Sequence, residues 1–374
     1  MSPLFFHSIK KNAVNLVCLS LAVVLSLGLL ELGLRHPRLR PSFRMEGLVF
    51  ELDGGLLYKM RPYSRKDLNR WGYRGADWKK HPESGKKRIL FLGDSFVFGV
   101  NVDIENSLPV KLQEKLGENY EVLNLGVQGY GPDQSLRQLE KQGLGFKPDA
   151  VVLALYPAND FNDITRNRMY RYDSVHKRLI KMRTPVEKLL GAPRLAVMAN
   201  VLKRRFDRDA KSGDYYDPFN PESYRELFMD LFADYMDFDF IDNPGSAQAA
   251  EKKLLMQGIL QEILRLCSAK GIPVYAVLIP SGENYGAMPL FDTIQLSRER
   301  YFANEEAAED VCRLAGMPLM DLRDLFSSGD SAAAAGLYHQ GDGHLSAQGY
   351  DAAAGFMAAR LGAGAADSIK GQKL

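Results

Sequence analysis

Short apolar runs alternating with amphipathic stretches organise this chain. Ile89 to Leu92 is a run too short for a helix and is bounded by Gly93, so it predicts a buried strand of a parallel sheet. From Ser107 the spacing turns helical, with Pro109 early and Leu108, Leu112 and Leu116 on one face. The pattern then repeats. Strands are predicted at Tyr120–Leu125, Ala150–Tyr156, Ile272–Ile279 and Pro318–Asp321, and helices at Asp133–Gln142, Ala247–Cys267, Glu305–Leu314 and Ser346–Leu361. Strands alternating with helices imply an α/β fold, a three-layer α/β/α sandwich around a central parallel sheet.

The N-terminal region departs from that alternation. Ala13 to Leu30 is apolar except for Asn15, Ser20 and Ser26, and extended through Leu34 it reaches about the twenty residues that cross a bilayer. A cleaved signal peptide would have an apolar core of about 7–15 residues ending at a small-x-small site, and no convincing site occurs; no lipobox precedes Cys18. Residues 12–34 are therefore expected to be a transmembrane anchor after a short tail, 1–11. Lys10 and Lys11 precede the anchor and Arg35, Arg38, Arg40 and Arg44 follow it, a count that favours a cytoplasmic C-terminal side, although large domains translocate regardless of charge. The expectation is a single-pass membrane protein with its large C-terminal domain on the extracytoplasmic side, a sidedness the charges leave open.

Residues 35–85 are a linker and lead-in rich in turn signals, such as Asp53-Gly-Gly55 and Trp71-Gly-Tyr-Arg-Gly75. The α/β domain is expected over 86–362, with an insertion at about 161–245 and a small-residue tail at 363–374. The insertion is charge-segregated: 13 Lys/Arg against 4 Asp/Glu from Phe161 to Arg208, then 2 against 10 from Asp209 to Asp242. Two halves facing one another explain this, as does a lid whose basic half meets lipid headgroups or an anionic glycan. With a net charge of only +2, no global field argues for nucleic acid. Cys18, Cys267 and Cys312 have no CxxC or zinc-type spacing, so neither a metal site nor a disulfide framework is expected. Cys267 and Cys312 read as buried free thiols, with their pairing in an oxidising compartment left open by the sequence, and no cofactor is expected.

The candidate chemistry lies where the predicted strands end. Gly93-Asp-Ser95 follows the first strand, Gly126-Val-Gln-Gly129 the second and Asn159-Asp160 the third, while Asp342-Gly-His-Leu345 precedes the last helix. In open α/β sheets these carboxyl ends build the site. A Gly-x-Ser-x-Gly elbow would need glycine at 97, where Val97 stands, so the α/β-hydrolase motif fails. A serine hydroxyl needs a base, the base an orienting group, and the developing oxyanion needs donors.

These four blocks, in this order, resemble the SGNH hydrolases, or GDSL family, over roughly Lys86 to Gly362; the approach through Asn69-Arg-Trp-Gly-Tyr-Arg-Gly75 resembles membrane-anchored bacterial members. The resemblance implies a flavodoxin-like sandwich and an esterase. It makes Ser95 the nucleophile, His344 the base, Asp342 its orienter, and the backbone N–H groups of Ser95 and Gly129 with the Asn159 amide the oxyanion hole. One departure stands out: the family's usual Asp-x-x-His is here Asp342-x-His344, with Gly341 where the acid would be. That shorter spacing resembles alginate O-acetyltransferases. The expected substrate is an ester, an acyl or acetyl group on a glycan or lipid. The alternatives are O-acyl transfer to a cell-surface polysaccharide, and a silent glycan- or lipid-binding scaffold.

Overall fold

The structure, a computed structural model, describes residues 3–34, 49–184, 186–188, 237–285, 287, 297, 300, 302–326, 334–340 and 342–364. The chain divides into two compact units, one of 1–48 with 187–229 and one of 49–186 with 230–374. Most of the charge-segregated insertion lies outside the described residues.

In the first unit the described chain is almost entirely one helix, α1 (Pro3–Leu34), which begins ten residues before the apolar run at Ala13. Its stretch Asn15–Gly33 has a mean hydropathy of 2.3, is not buried, and is long and apolar enough to cross a membrane; it is the only such helix among the described residues.

The second unit contains a five-stranded parallel sheet. Its lead-in forms an antiparallel hairpin of β1 (Phe50–Asp53) and β2 (Leu57–Met60). The sheet comprises β3 (Lys87–Leu92), β4 (Tyr120–Asn124) and β5 (Ala150–Leu155), followed after a second hairpin, β6 (Tyr170–Asp173) and β7 (Arg178–Lys181), by β8 (Val274–Leu278) and β9 (Leu319–Asp321). The order is β4-β3-β5-β8-β9, every neighbour parallel. Within the sheet this is the 2-1-3-4-5 order of flavodoxin-like folds, with β3 and β5 flanking the point where the order reverses.

Helices α2 (Ser95–Phe98), α3 (Leu108–Leu116), α4 (Pro132–Lys141), α5 (Pro157–Asn167), α6 (Ala247–Ser268), α7 (Ala303–Ala315) and α8 (Ala347–Gly364) complete the frame. On one face Ile89, Phe91, Val152, Ala154, Val277 and Met320 pack with Leu108 and Leu112 of α3 and Tyr350, Ala353, Ala354 and Met357 of α8. Leu90, Leu92, Val151, Leu153, Ala276 and Leu278 point to the opposite face, where α4, α6 and α7 touch the sheet. Burial on both faces explains why these strands lack polar alternation. Cys267 and Cys312 are buried free thiols, as expected.

Two differences from the sequence reading bear on the site. Pro157-Ala-Asn-Asp160, read as a loop, opens α5, with Pro157 at a helix-opening position where its missing N–H costs nothing. The stretch from Phe161, assigned to the insertion, continues α5 and then pairs β6 with β7; Tyr172 and Leu179 of that hairpin pack against Gly258 of α6.

Candidate active site

Ser95 is the first residue of α2, separated from the end of β3 only by Gly93 and Asp94. Asp94 caps this single turn, its carboxylate accepting the Phe96 N–H at 2.9 Å. The second Asp94 oxygen is buried without a partner among the described residues. Burial pushes the Asp94 carboxyl up to about 6, against the pull of the Phe96 N–H and of His344.

His344 reaches Ser95 from the turn before α8, 249 residues along the chain, with its Nε2 2.9 Å from Ser95 Oγ. Its Nδ1 lies 2.5 Å from Asp342 Oδ1, and its backbone N–H donates to the same oxygen at 3.1 Å. The imidazole lies against the Phe96 ring, centroids 4.8 Å apart, and Phe96 lies against Tyr156 at 4.4 Å. The His344 side chain is 13% exposed and that of Asp342 40%. Partial burial works to raise the Asp342 carboxyl, but the His344 imidazole, its backbone N–H and the Asn101 amide outweigh it and hold the group below its ordinary range.

The stretch after β4 is stitched onto the Ser95 turn. Leu125 N–H donates to Phe91 O at 2.8 Å and Val127 N–H to Gly93 O at 3.1 Å. Residue 126 must be glycine, because a Cβ there would stand 2.4 Å from the backbone nitrogen of Phe98. The lead-in hairpin holds this stretch from the other side. Tyr58 OH donates to Gln128 O at 2.9 Å, Tyr130 OH to Tyr58 O at 2.6 Å, and Gln134 Nε2 to Leu56 O at 2.8 Å. Residues 35–85, read as a linker and a lead-in laid over the edge of the domain, include a brace for the Gly129 loop.

Asn159 stands in the first turn of α5, where the helix end carries positive partial charge. No hydrogen bond among the described residues engages its side chain, and its Oδ1 is buried without a partner. Neither the Ser95 N–H nor the Gly129 N–H donates to a backbone carbonyl among the described residues outside regular secondary structure.

The structure therefore brings Ser95, His344 and Asp342 into one hydrogen-bonded series and attaches the Gly129 loop to the Ser95 turn. Asn159 follows β5, the strand next to β3. Sequence reasoning missed Asn101, whose Nδ2 donates to Asp342 Oδ2 at 2.7 Å; its only local signal is an Asn two residues after Gly99. Among the described residues no group of three or more His, Cys, Asp or Glu side chains forms a metal-binding cluster.

Comparison with known proteins places this chain in a family. The sequence model of the GDSL-like Lipase/Acylhydrolase family matches residues 91–352, more than half of the chain and all four blocks. Solved structures similar to this chain include a lipase/acylhydrolase from Enterococcus faecalis, with 13% identity, TM-score 0.36, and 74% of this chain and 95% of that one covered. A GDSL-like lipase from Bacteroides thetaiotaomicron has 14% identity and TM-score 0.36, covering 75% of this chain and 91% of that one. An alpha/beta hydrolase enzyme from the metagenome of Lake Arreo, Spain, has 13% identity and TM-score 0.38, covering 75% and 97%. No curated protein matches the chain. On the family match, the chain belongs to the GDSL-like lipase/acylhydrolase family, the SGNH hydrolases.

Proposed function

We propose that this chain is a membrane-anchored serine esterase that cleaves an ester, an acyl or acetyl group on a glycan or lipid, through an acyl-serine intermediate. The observation that carries the reading is the series Ser95 Oγ to His344 Nε2 at 2.9 Å and His344 Nδ1 to Asp342 Oδ1 at 2.5 Å. A serine hydroxyl attacks poorly until a base takes its proton, and an imidazole serves only if its Nε2 faces the hydroxyl. The Asp342 carboxylate accepts the Nδ1–H, which leaves the Nε2 lone pair toward Ser95.

In the proposed reaction Ser95 Oγ bonds to the ester carbonyl carbon while its proton passes to His344 Nε2. The carbonyl oxygen takes the negative charge and accepts hydrogen bonds from the Ser95 N–H, the Gly129 N–H and the Asn159 amide. As the tetrahedral species collapses, the carbon–alkoxy bond breaks and His344 returns the proton to the departing alcohol. Water then attacks acyl-Ser95 as His344 takes its proton; the bond to Ser95 Oγ breaks, His344 returns the proton to Ser95 Oγ, and the acid is released.

Transfer of the acyl group to a sugar hydroxyl is the second reading, favoured by the short Asp342-x-His344 spacing. It shares every step up to acyl-Ser95. The test is turnover of small aryl acetates by the full chain in detergent, with and without added oligosaccharide, beside Ser95→Ala and His344→Ala. The esterase reading expects hydrolysis that both substitutions nearly abolish and that oligosaccharide leaves unchanged. Oligosaccharide-stimulated turnover with acetylated sugar accumulating would replace it with the transferase, and no turnover by wild type would favour the scaffold.

A further inference from the structure

We infer that Asn101 is a positioning residue for the Ser95–His344 pair, acting through Asp342; the inference rests on the esterase reading above. Asp342 Oδ1 is occupied within its own turn, by the His344 imidazole at 2.5 Å and the His344 N–H at 3.1 Å. Its Oδ2 accepts from Asn101 Nδ2 at 2.7 Å. That bond is the carboxylate's one hydrogen bond to another part of the chain among the described residues, and with Asp342 40% exposed, water is the competing donor.

Asn101 is fixed to the nucleophile's own segment. The N–H groups of Gly99 and Val100 both donate to Ser95 O, at 2.9 and 3.1 Å. The buried Arg74 guanidinium binds the carbonyls flanking Asn101: Gly99 O, Phe98 O at 3.3 Å and Val102 O at 2.8 Å. Arg74 is held in turn by Asp67 at 2.8 Å. A closed ring results: Ser95 Oγ to His344, His344 to Asp342, Asp342 to Asn101, and Asn101 back to Ser95 through six peptide units braced by Arg74.

The residue type fits the task. Asn101 has φ 63°, in the left-handed region that few residues other than glycine enter, asparagine being among the most tolerant. Glycine would hold that backbone but donate nothing, and aspartate would place a second negative charge against Asp342. An amide donates without titrating, so it holds the carboxylate in orientation and keeps it ionised across the working pH range. With one residue between acid and base, the turn alone anchors one carboxylate oxygen, and Asn101 supplies the hold on the other.

The test compares Asn101→Gly, Asn101→Asp, Asp342→Ala and the double variant Asn101→Gly/Asp342→Ala with wild type, all as full chains in detergent. kcat and KM for an aryl acetate and the rate of labelling by a fluorophosphonate are measured across pH. Asn101→Gly is expected to lower kcat roughly three- to tenfold, the worth of about one hydrogen bond, with KM unchanged. Asn101→Asp is expected to lose more and to move the acidic limb of the kcat/KM profile to higher pH, because the added charge favours the His344 imidazolium. In the double variant the loss should equal that of Asp342→Ala alone, since a residue acting through Asp342 has nothing left to act on. Additive losses, or an Asn101→Gly enzyme at wild-type rate in a wild type that labels and turns over, would overturn this inference and leave the esterase reading standing. A wild type that neither labels nor turns over would overturn both.

Discussion

Gly282 lies directly against Gly343: a Cβ on residue 282 would stand 3.0 Å from Gly343 Cα and 3.1 Å from its carbonyl oxygen. Gly343 is the single residue between Asp342 and His344, so the stretch after β8 bears on the turn that carries both. Tyr338 OH donates to Pro280 O at 2.9 Å and ties the two stretches together beside that contact. Gly282→Ala should displace the turn by a few tenths of an ångström without unfolding it. Misplacement by about 1 Å can cost about 10²-fold, so a kcat roughly tenfold lower at unchanged KM is expected. Steady-state kinetics beside a thermal melt checks this, and wild-type kcat in a folded variant would remove Gly282 from the account.

The proposed oxyanion and orienting roles separate in kinetics. Asn159→Ala should lower kcat by about 10²–10³-fold and leave KM nearly unchanged, because its donor matters once the carbonyl oxygen carries charge. Asp342→Asn favours the wrong imidazole tautomer and should lower kcat by up to about 10⁴-fold. The His344 backbone N–H donates to the same Oδ1 as the imidazole, at 3.1 Å, and so favours the amide oxygen over the NH2 at that position, which argues for a loss below that ceiling. An Asn159→Ala enzyme with normal kcat would sink the oxyanion assignment.

Stability should fall as pH rises from about 4 to about 8, the window set by Asp133 and Asp163, two buried acids beside Gly131. Asp133 accepts from Asn167 Nδ2 at 3.0 Å and Gln134 N–H at 2.9 Å, Asp163 pairs with Arg166, and each retains a buried oxygen without a partner among the described residues. Burial pushes Asp133 to about 7, against Asn167, Gln134 and Arg137. Burial also pushes Asp163 to about 8, with the Asp133, Asp94 and Asp237 carboxyls adding to the rise and Arg166 opposing it. Unfolded aspartates lose their protons near pH 4, whereas these hold theirs to higher pH in the fold. The native state therefore binds more protons through that window, and stability declines as pH rises through the folded values. Glu305, raised by burial to about 7, acts in the same direction. Carboxyls held low by partners, such as Asp53 and Asp67, have their effect below about pH 4 and do not oppose it. Melts at about pH 5.5 and about pH 8 should give the higher Tm at the lower pH, and Asp163→Asn should flatten the difference. A Tm that rises over this range contradicts the assignment.

If the stretch Asn15–Gly33 spans a bilayer, the full chain should sediment with membranes, resist alkaline carbonate and require detergent for release. Release by carbonate alone would reduce α1 to a surface association.

The strands of the sheet were legible because burial on both faces leaves runs such as Ile89 to Leu92 and Val151 to Leu155 with no polar residue at all. α2 was not, because four residues offer no helical period, and its cap, Asp94, reads equally well as a turn residue. Asn159 was legible as a residue but misplaced in a loop: Pro157 and the Asn159-Asp160 pair are turn formers, and only the structure distinguishes a turn from the first turn of α5. The β6–β7 hairpin was hidden by its exposed Arg171, Lys177, Arg178 and Lys181, which made a strand pair resemble a charge run. The Asn101–Asp342 bond joins residues 241 positions apart, beyond the reach of any local pattern.

The central claim is that Ser95 is an activated nucleophile. It is tested most directly by treating the full chain in detergent with a fluorophosphonate, beside Ser95→Ala and His344→Ala, and mapping the modified peptide. The account predicts one adduct, on Ser95, absent from Ser95→Ala and strongly slowed in His344→Ala. No adduct on folded wild type, or one that persists in Ser95→Ala, would contradict it.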